Sequence, residues 1–216
     1  AAYVYGMMAH PAYTARFRDE LESREVRLPL TGRPELFREV SDVGRELLWL
    51  HTFAERFVPE GRRKGRVPQG SARCTKAVPA EPEEYPEDYE YSEETRILFV
   101  GSGEFHPVEP EVYEFEVSGM KVVQSWLGYR MEEGAGRKSS PLDDIRPECW
   151  KDQFTTELLE LLWVLEATLE LYPKQAELLD RVVNGPLITA EELPDVPDEA
   201  RKAPTRSKGN SLFAGQ

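Results

Sequence analysis

Apolar residues recur along this chain at two different periods, and the predicted element changes where the period changes. In A-Y-T-A-R-F-R-D-E-L-E, Tyr13, Phe17 and Leu21 stand four apart, with Arg16, Arg18, Asp19 and Glu20 around them. That spacing makes one stripe of a helix, broken from the residues before it at His10 and Pro11. R-E-V-R-L-P-L predicts a short extended piece ended by Pro29 and a turn at Thr31 and Gly32. A second helical region begins at Pro34 with Leu36, Phe37 and Val40, and continues from Ser41 or Asp42 as a cap, with Leu47, Leu50 and Ala54 on one face. The strongest helical pattern covers 152–172, where Leu158, Leu161, Leu162, Leu165, Leu169 and Tyr172 share a face. Pro173 restarts it, and 174–183 adds Leu178, Leu179 and Val182 before Asn184, Gly185 and Pro186 stop it.

Period two predicts strands at 95–100 and 112–117, the second alternating Val112, Glu114 and Glu116 against Tyr113, Phe115 and Val117. After Ser118 and Gly119 the helical period returns through Met120, Val123, Trp126 and Leu127. Residues 58–94 carry proline, glycine and like-charge runs, so they read as loop or mobile insertion, with a possible strand at 74–78. The expected fold is therefore α+β, a small antiparallel sheet flanked by helices from both ends of the chain, with helix 152–172 as its apolar strut. One domain is expected over 1–193, with a flexible charged insertion at about 58–94 and a polar tail at 194–216.

With 40% apolar residues among 216, the chain has enough material for a full core. Its N-terminus has no basic start followed by an apolar stretch, and glutamates interrupt the greasiest run, L-L-E-L-L-W-V-L-E, at helical spacing. A cytoplasmic protein with no membrane contact is the expectation. Because the chain opens without Met inside a helical pattern, it reads as a piece of something longer. Cys74 and Cys149 are far apart and read as two reduced thiols.

Net charge is −13, which taken whole opposes a nucleic-acid partner. The distribution changes that. Residues 77–117 hold 13 acidic side chains against one basic, whereas residues 56–76 hold seven basic side chains against Glu60 alone. A positive patch on an acidic protein is compatible with this pattern.

R-I-L-F-V-G-S-G-E-F, residues 96–105, has the Phe-x-Gly-x-Gly outline of a methyl-donor loop. Such a loop needs a helix directly after the glycines, and Pro107 and Pro110 forbid one. Gly101 and Gly103 therefore read as a turn, and no cofactor is expected in this segment. His10, His51 and His106 lie in unrelated segments without metal-ligand spacing and read as polar or capping histidines. Cys74 beside Lys76 has a neighbour able to activate it, yet no histidine is placed to pair with it.

Three stretches, taken in order, carry a resemblance. Y-V-Y-G-M-M-A-H-P-A-Y-T-A-R-F-R-D-E-L, then R-L-P-L-T-G-R-P-E-L-F-R-E-V-S-D-V-G-R-E-L-L-W-L-H, and V-Y-E-F-E-V-S-G-M-K-V-V-Q-S-W-L-G-Y-R-M resemble the C-terminal specificity domain of type ISP restriction-modification enzymes and related adenine methyltransferases. On that resemblance Tyr3, Tyr5, Pro11, Tyr13 and Phe17 match the first helix, and Arg27, Leu28 and Pro29 a Pro-Arg-Ile-Pro-like turn whose first position is here Val26. Gly44, Leu47, Leu50 and His51 match the second helix, and Gly119, Val123, Trp126, Leu127 and Arg130 the last. These read as residues that keep the fold, with Arg130 paired to a carboxylate.

The resemblance implies a non-catalytic reader of double-stranded DNA, attached to methyltransferase and nuclease domains of a parent polypeptide that defends against phage. Base readout would come from arginine or lysine on guanine and glutamine on adenine. The candidates on polar loops are Arg62, Arg63, Lys64, Arg66, Gln69, Arg73 and Lys76, with Arg137 and Lys138 in a second loop. A second reading makes the acidic run 81–94, with Tyr85, Tyr89 and Tyr91 interleaved, a surface that docks protein or mimics DNA charge. An autonomous enzyme is the third.

Overall fold

The structure, a computed structural model, describes residues 1–24, 26–131 and 147–201. Three short helices open the chain: α1 (Ala2–Met8), α2 (Pro11–Arg16) and α3 (Arg18–Glu22). The break after α1 falls where Pro11 cannot continue it, and the His10 side chain accepts a hydrogen bond from the Ala12 N–H to start α2. α4 (Pro34–Leu50) is one uninterrupted helix rather than two. The expected cap at Ser41 is a correction: its hydroxyl turns inward and donates to the Phe37 carbonyl at 2.7 Å, so it sits within the helix.

The sheet has four antiparallel strands in the order β1–β4–β3–β2, where β1 is Arg73–Lys76, β2 Tyr89–Ser92, β3 Ile97–Val100 and β4 Gly103–His106. Segment 58–94, read from its charge as an insertion, thus supplies both edges. One cross-strand row explains the choice: Cys74, Phe105, Leu98 and Tyr91 lie opposite one another in turn, with Leu98 and Phe105 fully buried. Two tyrosines of the acidic run, Tyr89 and Tyr91, are therefore members of a strand that pack against the core, and Tyr85 packs against it from the turn before. Tyr89 and Tyr91 are half-buried, and their hydroxyls donate to the Gln124 and Val108 carbonyls.

β3 and β4 are joined by Gly101 and Ser102, with Val100 opposite Gly103 and Gly101 at φ +53. This is a two-residue hairpin led by the residue that must be left-handed, which is glycine's position. Gly103 answers a different demand, since a Cβ there would lie 2.5 Å from Val78 Cγ2. Both glycines of the Phe-x-Gly-x-Gly run are explained by chain packing.

The strand expected at 112–117 is instead α5 (Pro110–Tyr113) followed by β5 (Glu116–Val117), which pairs with β6 (Met120–Lys121). Pro110 occupies a first-turn helical position, where its missing N–H costs nothing. Ser118 and Gly119 both have positive φ, as a type I′ hairpin turn requires. Helix α6 (Val122–Gly128) buries Val123 and Leu127.

α7 (Asp152–Val183) is the strut, and it runs 32 residues straight through Pro173. The expected restart there is corrected: Pro173 lies on the exposed side, and packing on both halves holds the helix together across the lost hydrogen bond. Its N-terminal half places Leu158, Leu161, Leu162 and Leu165 against the sheet, α5 and α6. Its C-terminal half places Leu178, Leu179 and Val182 against Tyr3, Met7, Tyr13, Leu36 and Val40. A short helix, α8 (Asp198–Arg201), closes the described residues.

Candidate nucleic-acid interface

The basic segment begins where α4 ends. Thr52 Oγ1 donates to the Leu48 carbonyl at 2.8 Å, and the Arg56 N–H donates back to Thr52 Oγ1 at 3.2 Å, closing a tight turn around it. From there residues 61–69 fold over Trp49, which packs with Ala54, Val67 and Val164 and is only 1% exposed. The Gly65 N–H donates to the Ala54 carbonyl at 2.9 Å, fixing the loop to the turn.

Arg62, Arg63, Arg66 and Gln69, four of the residues singled out from sequence, line one depression of about 240 Å³ whose floor includes Trp49. The Arg62 guanidinium carbon is 5.2 Å from the indole centroid, close enough for the ring face to attract the cation. Arg62 also faces Glu46 at 3.7 Å and Lys64 faces Glu55 at 3.4 Å, both largely exposed pairs. Such pairs are worth well under ~1 kcal/mol and yield readily to a phosphate. Among the described residues Arg56, Arg63 and Arg66 have no carboxylate partner.

Arg73 and Lys76 do not join this group. The Arg73 Nη1 donates to the carbonyls of Gly70, Ser71 and Ala72 at 2.6, 3.0 and 2.7 Å, and its guanidinium lies 5.9 Å from the Trp163 ring. It holds the loop's own backbone. Lys76 sits on edge strand β1, 3.9 Å from Glu104. Arg137 and Lys138 lie outside the described residues.

Two residues that sequence reasoning missed anchor the loop. The Glu166 carboxylate accepts from the Ser71 and Ala72 N–H groups at 2.6 and 3.2 Å, and the Trp163 Nε1–H donates to the Ala72 carbonyl at 2.9 Å. Both stand on α7, so the rigid strut carries the base of the basic loop. Phe53 and Phe57, which are 41% and 52% exposed beside this loop, were also missed. Their signal was present as two aromatics flanking A-E-R just past a helix end.

The strand of the acidic run, β2, takes the sheet edge opposite β1. β1 and β2 are the two opposite edges of the sheet, three strand spacings of about 4.8 Å apart, roughly 14 Å. None of the described basic residues of 56–76 is ion-paired to a carboxylate of 81–94.

A second concavity, about 590 Å³, lies between the first helices and β5, lined by Tyr5, His10, His51, Phe115 and Tyr172 among others. Its polar groups serve the frame. Thr168 Oγ1 donates to the Val164 carbonyl and so can only accept from His51 Nε2, at 2.9 Å; His51 Nδ1 must then accept from the Tyr5 hydroxyl, at 2.7 Å. Burial lowers the pKa of His51 and of His10, which matches this neutral tautomer. Cys74, in contrast to the activation expected beside Lys76, has its thiol pKa pushed up by burial and its Sγ turned to the Lys76 carbonyl. Both cysteines are free. Among the described residues no cluster of three or more His, Cys, Asp or Glu could hold a metal ion, and no helix is long and apolar enough to cross a membrane.

Several residues matched to the resemblance hold the frame. Tyr3 and Tyr13 donate to the Pro29 and Arg27 carbonyls, hanging the extended turn on α1 and α2. Arg130 stacks 3.7 Å from the Trp126 centroid and pairs with Glu157 at 3.2 Å, the carboxylate expected for it.

No curated protein and no solved structure matches the chain. A family model does: residues 1–161 match the type ISP C-terminal specificity domain, from α1 through the sheet into the first third of α7. With three-quarters of its length inside that match, and the matched positions holding the frame that carries the Trp49 depression, the chain belongs to the type ISP C-terminal specificity domain family.

Proposed function

We propose that this domain reads a DNA target on behalf of a restriction or methylation polypeptide and takes no chemical step itself. The observation that carries the reading is the convergence of Arg62, Arg63, Arg66 and Gln69 on one depression, with none of these arginines ion-paired to a carboxylate of 81–94. Their chemistry fits the partner. Arginine pairs bidentately with guanine O6 and N7, glutamine with adenine N6 and N7, and the flanking exposed cations meet phosphates. Arg137 and Lys138 are further candidates for the second contact loop. Methyltransferase and nuclease domains of the same polypeptide are the partners that would act on the site once read.

Salt titration of the full-length polypeptide on short duplexes from a randomised pool tests this. Each phosphate contact contributes about −0.9 to the slope of log affinity against log salt. Replacing Arg62, Arg63 and Lys64 together by Ala should weaken binding and flatten that slope by roughly 2 to 3. Unchanged affinity would remove the loop from the interface, and failure of the wild-type protein to bind any duplex at low salt would leave the acidic docking surface as the better reading.

A further inference from the structure

The turn between α4 and the basic loop is built against the preferences of its own residues. Phe53, Ala54 and Phe57 all have left-handed backbone, φ +50, +60 and +57, in a stretch without a glycine. Bulky side chains rarely adopt that conformation, and such outliers concentrate where function holds them. The turn is nevertheless tightly tied: the Phe53 N–H donates to the Leu50 carbonyl, the Ala54 N–H to that of Trp49, and the Arg56 N–H to Thr52 Oγ1. Ala54 is fully buried while Phe57 is 52% exposed. A rigid, strained backbone therefore presents an aromatic ring to solvent between Arg56 and the Arg62–Arg66 loop.

We infer that Phe57 is an apolar wedge that enters a base step of the bound duplex, with Phe53 as a second apolar contact beside it. This inference rests on the DNA reading proposed above. Charge selects the occupant: Arg56, next to Phe57 in sequence, and Arg63 and Arg66 in the loop that follows have no carboxylate partner among the described residues, which suits a polyanion and disfavours a plain apolar protein surface. Rigidity suits the task, because a wedge that unstacks bases must not bend away under the load. Neither ring stacks on another aromatic of the described chain, unlike exposed Phe37, which lies 4.5 Å from Tyr3.

The test is the Phe57→Gly variant of the full-length polypeptide, on duplexes that the wild-type protein draws from a randomised pool. Glycine is at ease at φ +57, so the variant should melt no lower than wild type. Affinity should fall roughly tenfold or more, the duplex bend measured by energy transfer between end-placed dyes should shrink, and the salt slope should stay unchanged, since no charge is removed. The Phe57→Asn variant, which also tolerates left-handed backbone, guards against a folding artefact. Wild-type affinity and bend in both variants, or a loss seen only with a lowered melting temperature, would overturn the wedge while leaving the DNA reading intact. If wild type draws no duplex from the pool, the DNA reading fails, and the wedge with it.

Discussion

The Arg62 guanidinium rests over the Trp49 indole while its edge faces Glu46, so one cation is shared between a ring and a carboxylate at the mouth of the depression. The ring orients the side chain and the carboxylate competes for its charge. Glu46→Gln keeps the packing and removes the competitor. Duplex affinity of the full polypeptide should then rise a few fold, the scale of an exposed ion pair. Unchanged or weaker binding in a filter or anisotropy titration would mean that Arg62 does not meet DNA.

Gly44 sits where α1 and α4 cross. A Cβ at Gly44 would run into the Ala2 carbonyl oxygen, and one at Gly6 would lie 2.5 Å from the Val40 carbonyl oxygen. Backbone, unlike a side-chain end, cannot step aside. Gly44→Ala should therefore cost about 3 kcal/mol and lower the melting temperature by roughly 6 to 12 °C. A calorimetric shift of less than a degree or two would contradict this crossing. Since Gly44 faces Ala2 and Gly6 of α1 and not the basic loop, DNA affinity measured well below the transition should stay close to wild type.

Fold class was legible because the helical stripes of α4 and α7 are long and their apolar positions unambiguous. Strand boundaries were not. Tyr89 and Tyr91 alternate with Glu90 and Ser92, yet the surrounding glutamates and prolines hide a period-two signal only four residues long. At 112–117 the alternation was real in sequence and false in structure, because Pro110 starts a helical turn that buries Val112 and Phe115 together. The basic cluster could be seen as a count, but the division within it could not. Arg73 binds its own loop, which Trp163 and Glu166 fasten from some ninety residues away, while Arg63 and Arg66 have no carboxylate partner among the described residues.

His51 gives the fold a pH dependence of definite sign. Burial lowers its folded pKa below the ordinary value near 6.5, as it does for His10. At pH above that ordinary value neither folded nor unfolded chain is protonated there, and the group is neutral in the balance. As pH falls through about 6.5, the unfolded chain takes up a proton that the folded chain refuses, so stability declines until the lowered folded value is reached. One such group contributes at most about 1.4 kcal/mol per pH unit. Melting temperature should drop between about pH 7.5 and about pH 5, above the range where carboxylates titrate. His51→Gln should be less stable throughout but show a shallower drop; parallel curves for the two proteins would exclude His51 as a source.

Glu166 accepts from the Ser71 and Ala72 N–H groups while Gly70 packs against its carboxylate and Trp163, so the basic loop is fastened to α7 through backbone and not through its cations. Removing that fastening separates positioning from charge. Glu166→Ala deletes an acceptor of two N–H groups, while the buried Ala72 side chain keeps its place in the core and its carbonyl keeps the bond from Trp163. The global melting temperature should fall by only a few degrees, on the scale of ~1 to 2 kcal/mol for a charge-assisted hydrogen-bond pair. Trypsin cleavage after Arg66 and Arg73 should accelerate, because the loop opens without global unfolding. Duplex affinity should fall even though an acidic residue has been lost, the reverse of what a simple change in net charge would give. Tighter binding by Glu166→Ala would show that charge alone governs the interface and that the loop needs no fixed geometry to meet DNA.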